Sequence, residues 1–425
     1  MRITETQLEI QREPFAKPFA FKGSAFHEKW NTIVRLRDDQ GYEAVGIGGL
    51  AVLWSDPDVF SAHTEVGGNL LQASILEHAL QHVQGREYPD PPSMLGDVLP
   101  HAFAYGRAIT SNEQLRLTFV LIALVALDNA AWLLFAEENG VSSFNALIPP
   151  WSQETLAHRQ NAVATVPAVG YTMEMDTLDG ILRAGAYILK IKLGQRGTQQ
   201  EMVHKDKEWL SRIHDMAKGL TTSMTDSGNI LYYLDANGRY EDKAGIVELV
   251  KHAERIGALD RVILIEEPFE DSVEADVSDL DARFAADESI HTIEDVARRA
   301  EQGFEALAVK PAGKTMSLAF EMVRAGAEMG MECFVADNAC VPVLVEWNKN
   351  VAARLPVFPG IKGGLMESNG PDNYANWDRM LSEYPIPDAN WLRPIDGTFR
   401  LGANYYAHSG GIFEIPTNYN SLLRD

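Results

Sequence analysis

The spacing of apolar and polar residues changes character near residue 150. Residues 29 to 53, "KWNTIVRLRDDQGYEAVGIGGLAVL", alternate on both sides of "DDQG", which predicts a β-hairpin. From about 70 to 140 the apolar residues recur at helical spacing. The proline pair of "SSFNALIPP" closes that region and marks a boundary near 150. Beyond about 160 come short apolar runs divided by amphipathic stretches: "AVATVPAVG", "YILKIKLG", "NILYYLDANG", "RVILIEEPF", "RFAADESI", "ALAVKPAG" and "MECFVADN". Strand alternating with helix is the pattern of a parallel α/β fold. "PVFPGIKGG", residues 356 to 364, reads as one more strand. Eight runs, with no phosphate-binding glycine fingerprint after the first, favour a (β/α)8 barrel over an open sheet.

One run invites a membrane reading. "LTFVLIALVAL", residues 117 to 127, is strongly apolar but meets Asp128 and Asn129 after 11 residues. A spanning helix needs ~20, so a buried helix is expected. The start, "MRITETQLEI", has no apolar core of a secretory signal.

The chain has 425 residues, 46% of them hydrophobic and 23% charged, enough for one large barrel plus a second domain or for two to three ordinary domains. Its net charge of −23 argues against nucleic acid and anionic membrane as partners, and a small anion would need local positive charge. Cys333 and Cys340 are too few for a disulfide scaffold and lack zinc-site spacing, so a reducing cytoplasm is the simplest compartment.

In a parallel barrel the active site lies at the C-terminal ends of the strands. Asp235, Glu266, Asp287 and Lys310 each close an apolar run, at separations of 31, 21 and 23 residues, each near one βα unit. Three converging carboxylates would raise one another's pKa unless a cation were present. An all-oxygen ligand set selects a hard metal, and an open site favours Mg2+ over Ca2+. A strand-end salt bridge is the alternative for any single carboxylate. In "YILKIKLG", period-2 alternation aims Lys190 and Lys192 at the same side. These lysines precede the carboxylates and Lys310 follows them, so cations flank the set. A lysine acts as a base only when neutral, and Lys190 is expected to lower the pKa of Lys192. Alternatively both snorkel at the rim, or one pairs with a structural acid.

Together "KIK", "DAN", "EEP", "DES" and "VK" resemble the enolase superfamily, in the branch of muconate-lactonizing enzymes, dipeptide epimerases and o-succinylbenzoate synthases, over most of the chain. The resemblance implies a (β/α)8-type barrel with an α+β capping domain formed by the N-terminal region and the C-terminal tail. The expected divisions are 1–155 for the cap, 156–365 for the barrel and 366–425 for a segment returning to the cap. It implies Lys192 as the base on one face and Lys310 as acid/base on the other, with Lys190 kept beside them as the residue expected to tune Lys192. Asp235, Glu266 and Asp287 become ligands of Mg2+, with Mn2+ as the alternative ion, and Asn237, Glu267 and Glu288 become groups that orient them. The implied chemistry is removal of the proton α to a carboxylate, with the metal stabilising the enolate.

Specificity in such enzymes resides in cap loops over the barrel mouth. The matching stretch, 14 to 27, offers Phe15, Lys17, Phe19, Phe21 and His27, while Asp337, Asn338 and Lys362 are assigned to the last two strand ends as contacts for the distal substrate. Several features depart from the family pattern. Gly49 stands where many relatives carry glutamate, "VADNACVP" holds no histidine base, and no Asp-x-Asp for a substrate ammonium is found near the last strand. A dipeptide is therefore less expected. The 43 residues from Lys192 to Asp235 are long for one βα unit and point to an insertion. The leading expectation is an isomerase, a racemase or epimerase of an acylamino acid, amino-acid derivative or related small carboxylate. A cycloisomerase, or a dehydratase or other lyase using the same chemistry, remains open, as do a Schiff-base barrel enzyme and a non-catalytic binding barrel. Relatives are often oligomers, so a homo-oligomer is also open.

Overall fold

The computed structural model describes residues 1–21 and 24–423, with the side chains of Ala20 and Phe21 left out. The N-terminal third forms a three-stranded antiparallel sheet, β1 (Ile3–Phe21), β2 (Ser24–Asp38) and β3 (Glu43–Leu50). The hairpin expected around "DDQG" is the β2–β3 pair, in which Arg37 faces Glu43 and Trp30 faces Leu50. Four helices follow: α1 (Val52–Ser55), α2 (Pro57–Val83), α3 (Pro91–Thr110) and α4 (Leu117–Asn139). Asp56 and Asp90 cap α2 and α3 by accepting hydrogen bonds from first-turn amides.

Helix α4 lies across β3, and glycine makes the approach close enough. A Cβ on Gly46 would fall 2.2 Å from Ala126 O and Ala130 N, and one on Gly48 would fall 2.7 Å from Ala126 N. Alternation puts these two glycines on one face of the strand, opposite the alanines of the helix. The apolar run does not end at Asp128 and Asn129, as its sequence implied; the helix carries both in its buried interior and runs on to Asn139. At 23 residues it is long and apolar enough to cross a membrane, yet 94% of its most apolar window is buried within the fold. Its polar pair is used on two sides. Asn129 donates to Ile47 O of the cap sheet, and Asp128 accepts from the amide and hydroxyl of Ser317 beside the barrel.

The barrel strands are β4 (Ala162–Thr165), β5 (Ala168–Val169), β6 (Ile188–Lys192), β7 (Leu231–Asp235), β8 (Val262–Glu266), β9 (Phe284–Ala286), β10 (Ala306–Val309), β11 (Glu332–Val335) and β12 (Gly364–Met366). β4 and β5 are one strand path broken at Val166-Pro167. The first part pairs with β12 and the second with β6, which closes a parallel ring of eight. A short β13 (Thr398–Arg400) from the tail pairs antiparallel with β4, while the same tail reaches the cap through Tyr374 against Phe15 and Arg379 on Glu13. Two details correct the periodicity. Residues 356–363 form a turn-rich approach and the last strand is "GLM", a few residues later. Among the described residues no helix separates β8 from β9, so the 21-residue step from Glu266 to Asp287 is a loop-only connection. The long step after Lys192 holds the 19-residue helix Gln199–Ala217 and a folded-back loop in which Thr221 bridges Asn229.

Gly49 has a structural use. Its missing Cβ would lie 2.5 Å from Lys29 Cε, so the glycine opens the path by which Lys29 crosses from the cap and donates to Asn338 O at 2.7 Å. Lys29 is fully buried, and burial pulls its pKa down to about 8 although Cys340 and Asp337 favour the charge. Gly49→Ala is expected to displace this ammonium and destabilise the fold by about 1–3 kcal/mol in urea melts; unchanged stability would refute the packing. Asp128 provides a pH test. Burial raises its carboxyl to about 6 against its Ser317 hydrogen bonds. The folded chain thus holds this proton more tightly than the unfolded chain, so the contribution is complete below the ordinary aspartate pKa and fades as pH rises through about 6. Between these limits stability should fall by up to about 1.4 kcal/mol per pH unit, and Asp128→Asn should remove that slope.

Candidate active site

Strand register brings the charged residues together. Lys192 on β6 is level with Asp235 on β7, which is level with Glu266 on β8, and Glu266 in turn faces Ala285, two residues before Asp287. Alternation then turns Lys190 and Lys192 into the barrel mouth, where both line one cavity with Asp235, Asn237, Asp287, Glu288 and Lys310. Glu266 lies beneath them, wholly buried.

Lys190 stands at the centre of the acids. Its Nζ lies 3.0 Å from Asp235 Oδ2, 2.7 Å from Glu266 Oε2 and 2.8 Å from Glu367 Oε2, over the ring of Tyr233. Burial alone would favour the neutral amine, but the three carboxylates outweigh it and raise the pKa well above the ordinary lysine value. The Lys190 ammonium, expected to act on Lys192, is engaged directly by acids. Lys192 Nζ donates to Asp235 Oδ2 at 2.5 Å and to Asn237 Oδ1 at 3.0 Å, and Asn237 passes the chain on to Glu288 at 3.1 Å. Across the cavity Lys310 pairs with Asp287, and its ammonium sits 4.5 Å from the centre of the Trp54 ring. Lys314 donates to the carbonyls of Asp287 and Ile290, fixing that loop. Glu267 accepts from the Asp287 amide and the Ser289 hydroxyl.

The acids respond unequally. Burial opposes ionisation of Asp235 and Asp287, but Lys190 and Lys192 hold the first well below the usual range, and Lys310 and Lys314 hold the second at about 2. Glu266 between them is pushed well above its ordinary value by burial and by Asp235. Burial and Glu288 raise Glu267 to about 7. Glu266 Oε1, Asp287 Oδ1 and Glu288 Oε2 are buried oxygens with no hydrogen-bond donor. Such a donor set fits a hard divalent cation, which would supply the missing positive charge. The surrounding backbone is strained: Asn237, Glu267 and Ala339, each just past a barrel strand, have φ of 45°, 39° and 49°.

The other residues singled out in the sequence divide. Phe19, Asp337 and Asn338 line the cavity. Phe15 is buried behind it against Phe26 and Tyr374, Lys17 is exposed, and His27 points outward to Glu65 at 3.0 Å. His27 fails as a cavity residue because β2 alternates: its neighbour Phe26 takes the inward side. Phe21 lies outside the described side chains. Lys362 is displaced with the strand it was assigned to; it precedes β12 and its exposed ammonium donates to Ser223 O. Correct placement of "GLM" would have found Glu367, which follows that strand as the other acids follow theirs. Asn369 donates to Glu367 at 2.9 Å. Trp54, from the cap, carried no signal in the sequence.

A small antiparallel cap sheet with helices, set on a closed parallel barrel whose strand ends carry lysines and carboxylates, defines the structural class. No protein-family model matches the chain, and no curated protein matches it. Solved structures do. A dipeptide epimerase from Enterococcus faecalis V583, complexed with Mg and the dipeptide L-Leu-L-Tyr, aligns over 88% of this chain and 92% of its own, at 14% identity and a TM-score of 0.61. A mandelate racemase/muconate lactonizing protein from Herpetosiphon aurantiacus aligns over 94% and 96%, at 16% identity and a TM-score of 0.64. The L-Ala-D/L-Glu epimerase from Bacillus subtilis aligns over 88% and 92%, at 15% identity and a TM-score of 0.62. The chain therefore has the enolase-superfamily fold, in the form shared by dipeptide epimerases and mandelate racemase/muconate lactonizing proteins.

Removing the central cation tests the electrostatics. Lys190→Met should leave Glu266 and Glu367 uncompensated and Asp235 with Lys192 alone, and destabilise the metal-free chain by about 3–5 kcal/mol. Added Mg2+ should recover part of that loss in thermal melts; a variant as stable as wild type without metal would contradict the arrangement.

Proposed function

We propose that the chain is an enzyme that removes the proton α to the carboxylate of a small organic acid with the help of Mg2+ or Mn2+, most simply to racemise or epimerise it. The observation that carries this reading is the placement of Lys192 and Lys310 on opposite sides of one cavity, with carboxylates between them. Asp235, Glu266 and Asp287 would hold the cation, whose charge would oppose the negative charge that develops on the substrate as its α-carbon loses a proton. The solved epimerase complexed with Mg supports that choice of ion.

The chain's own groups supply the rest. Lys192 Nζ takes or returns a proton on one face, oriented by Asn237, which Glu288 holds in turn. Lys310 serves the other face, fixed by Asp287 and shielded from water by the Trp54 ring. Glu267 fixes the loop of Asp287. Phe19 and Phe26 form an apolar wall from the cap, whereas Asp337 and Asn338 offer polar contacts, so an acid with an apolar portion and a polar end fits best.

A second reading, a cycloisomerase or lyase, rests on asymmetry. The Lys310 side chain is 4% exposed and that of Lys192 16%, so Lys310 can act as a fixed charge while Lys192 alone moves a proton.

Proton NMR in D2O with Mg2+ separates these readings, using pools of N-acyl amino acids, dipeptides, cyclic amino-acid derivatives and sugar acids. At least one compound should exchange its α-proton, and Lys192→Ala with Lys310→Ala should slow this by about 100-fold or more. Single variants of a racemase should each spare exchange of one enantiomer, whereas a lyase or cycloisomerase should lose exchange chiefly with Lys192. Exchange in the double variant at the wild-type rate would end the proposal.

A further inference from the structure

A second group of metal-ligating side chains lies on the cap, away from the barrel mouth. Helix α2 presents His78 and His82 one turn apart, and α3 presents Asp97, His101 and Tyr105 at the same spacing. The helices pack so that these rows meet. His82 Nε2 lies 2.9 Å from Asp97 Oδ2, the His82 and His101 rings are 4.2 Å apart, and His78 stacks on Tyr105 at 4.1 Å and 12°. One ligand atom from each of His82, Asp97 and His101 falls within 4.8 Å of the others. We propose that these three residues form a second metal site, rich in nitrogen, which binds a divalent transition ion such as Zn2+, Co2+ or Ni2+ and ties α2 to α3.

Three observations support the assignment. Two imidazoles and one carboxylate suit a borderline ion and leave a position for water, whereas the oxygen-only set in the barrel suits a hard one, so the two sites sort metals by ligand chemistry. The carboxylate is oriented from behind, as ligating groups commonly are: Tyr88, buried at the end of the α2–α3 connection, donates to Asp97 Oδ2 at 2.8 Å. The approach is open. His101 is exposed, and Arg86, which lies 3.5 Å from Asp97, has half of its side chain in solvent, so it can swing aside. The inference is independent of the barrel chemistry.

The test titrates the full-length chain with Co2+ in the presence of excess Mg2+, read by visible absorption and calorimetry. Wild type should bind one Co2+ per chain with the intense bands of a low-coordinate nitrogen-containing site. His101→Gln, a substitution at an exposed position, and His82→Gln should each weaken this binding at least tenfold while circular dichroism stays unchanged. Zn2+ should raise the melting temperature of wild type and leave that of His101→Gln where it was. Equal Co2+ uptake by wild type and His101→Gln, or no uptake beyond the Mg2+-competed site, would overturn the proposal. If His82→Gln fails to fold, His101→Gln alone decides the outcome.

Discussion

Charge neutralisation at the ends of the barrel strands is the constraint on which the rest depends. Asp235, Glu266, Asp287 and Glu367 converge in a space almost sealed from water, where mutual repulsion and lost hydration would each cost several kcal/mol. Lys190, Lys192, Lys310 and Lys314 are the answering charges, each positioned by strand register or by a short turn after a strand. The balance is uneven, and the unevenness is informative. Each acid faces a lysine, yet Glu266 Oε1 and Asp287 Oδ1 keep no hydrogen-bond donor, and burial together with Asp235 pushes the Glu266 carboxyl up. Those orphaned buried oxygens are the points of the cluster where further positive charge would be accepted.

The cap keeps this cluster dry, and its hold on the barrel depends on small residues at places where something else must pass. Gly46 and Gly48 let α4 press against the sheet, and the same helix then reaches Ser317 through Asp128 and Trp132. Gly49 makes room for Lys29 to hold the loop after β11, whose Asp337 and Asn338 line the cavity. From the other side Trp54 closes over Lys310. Substitutions at the cap seam are thus connected to the chemistry through a loop and a ring, without any cap residue joining the carboxylate cluster.

The set Lys190, Lys192, Asp235, Glu266, Asp287 and Lys310 was legible because each residue ends or punctuates an apolar run, and parallel strands of equal direction must bring such ends to one rim. Glu367 was missed because "PVFPGIKGG" was itself read as the strand, whereas the three-residue strand only starts at its last glycine and ends one residue before Glu367. Of the described aromatic candidates in the first hairpin only Phe19 is placed in the cavity, while Phe26, which was not among them, joins it. Phe19 and Phe26 face inward and His27 faces outward, which is decided by a register that the quoted stretch does not fix by itself.

The sequence alone determined the barrel, the buried helix, the early hairpin and the line of charges, since all of these follow from periodicity and from chemistry local to a strand. Only the tertiary structure decided what each charge faces. That Lys190 serves three acids, that Trp54 covers Lys310 and that Gly49 yields its space to Lys29 are contacts between residues 20 to 256 positions apart. Distances of a few ångströms set their energies, and no spacing along the chain encodes those distances.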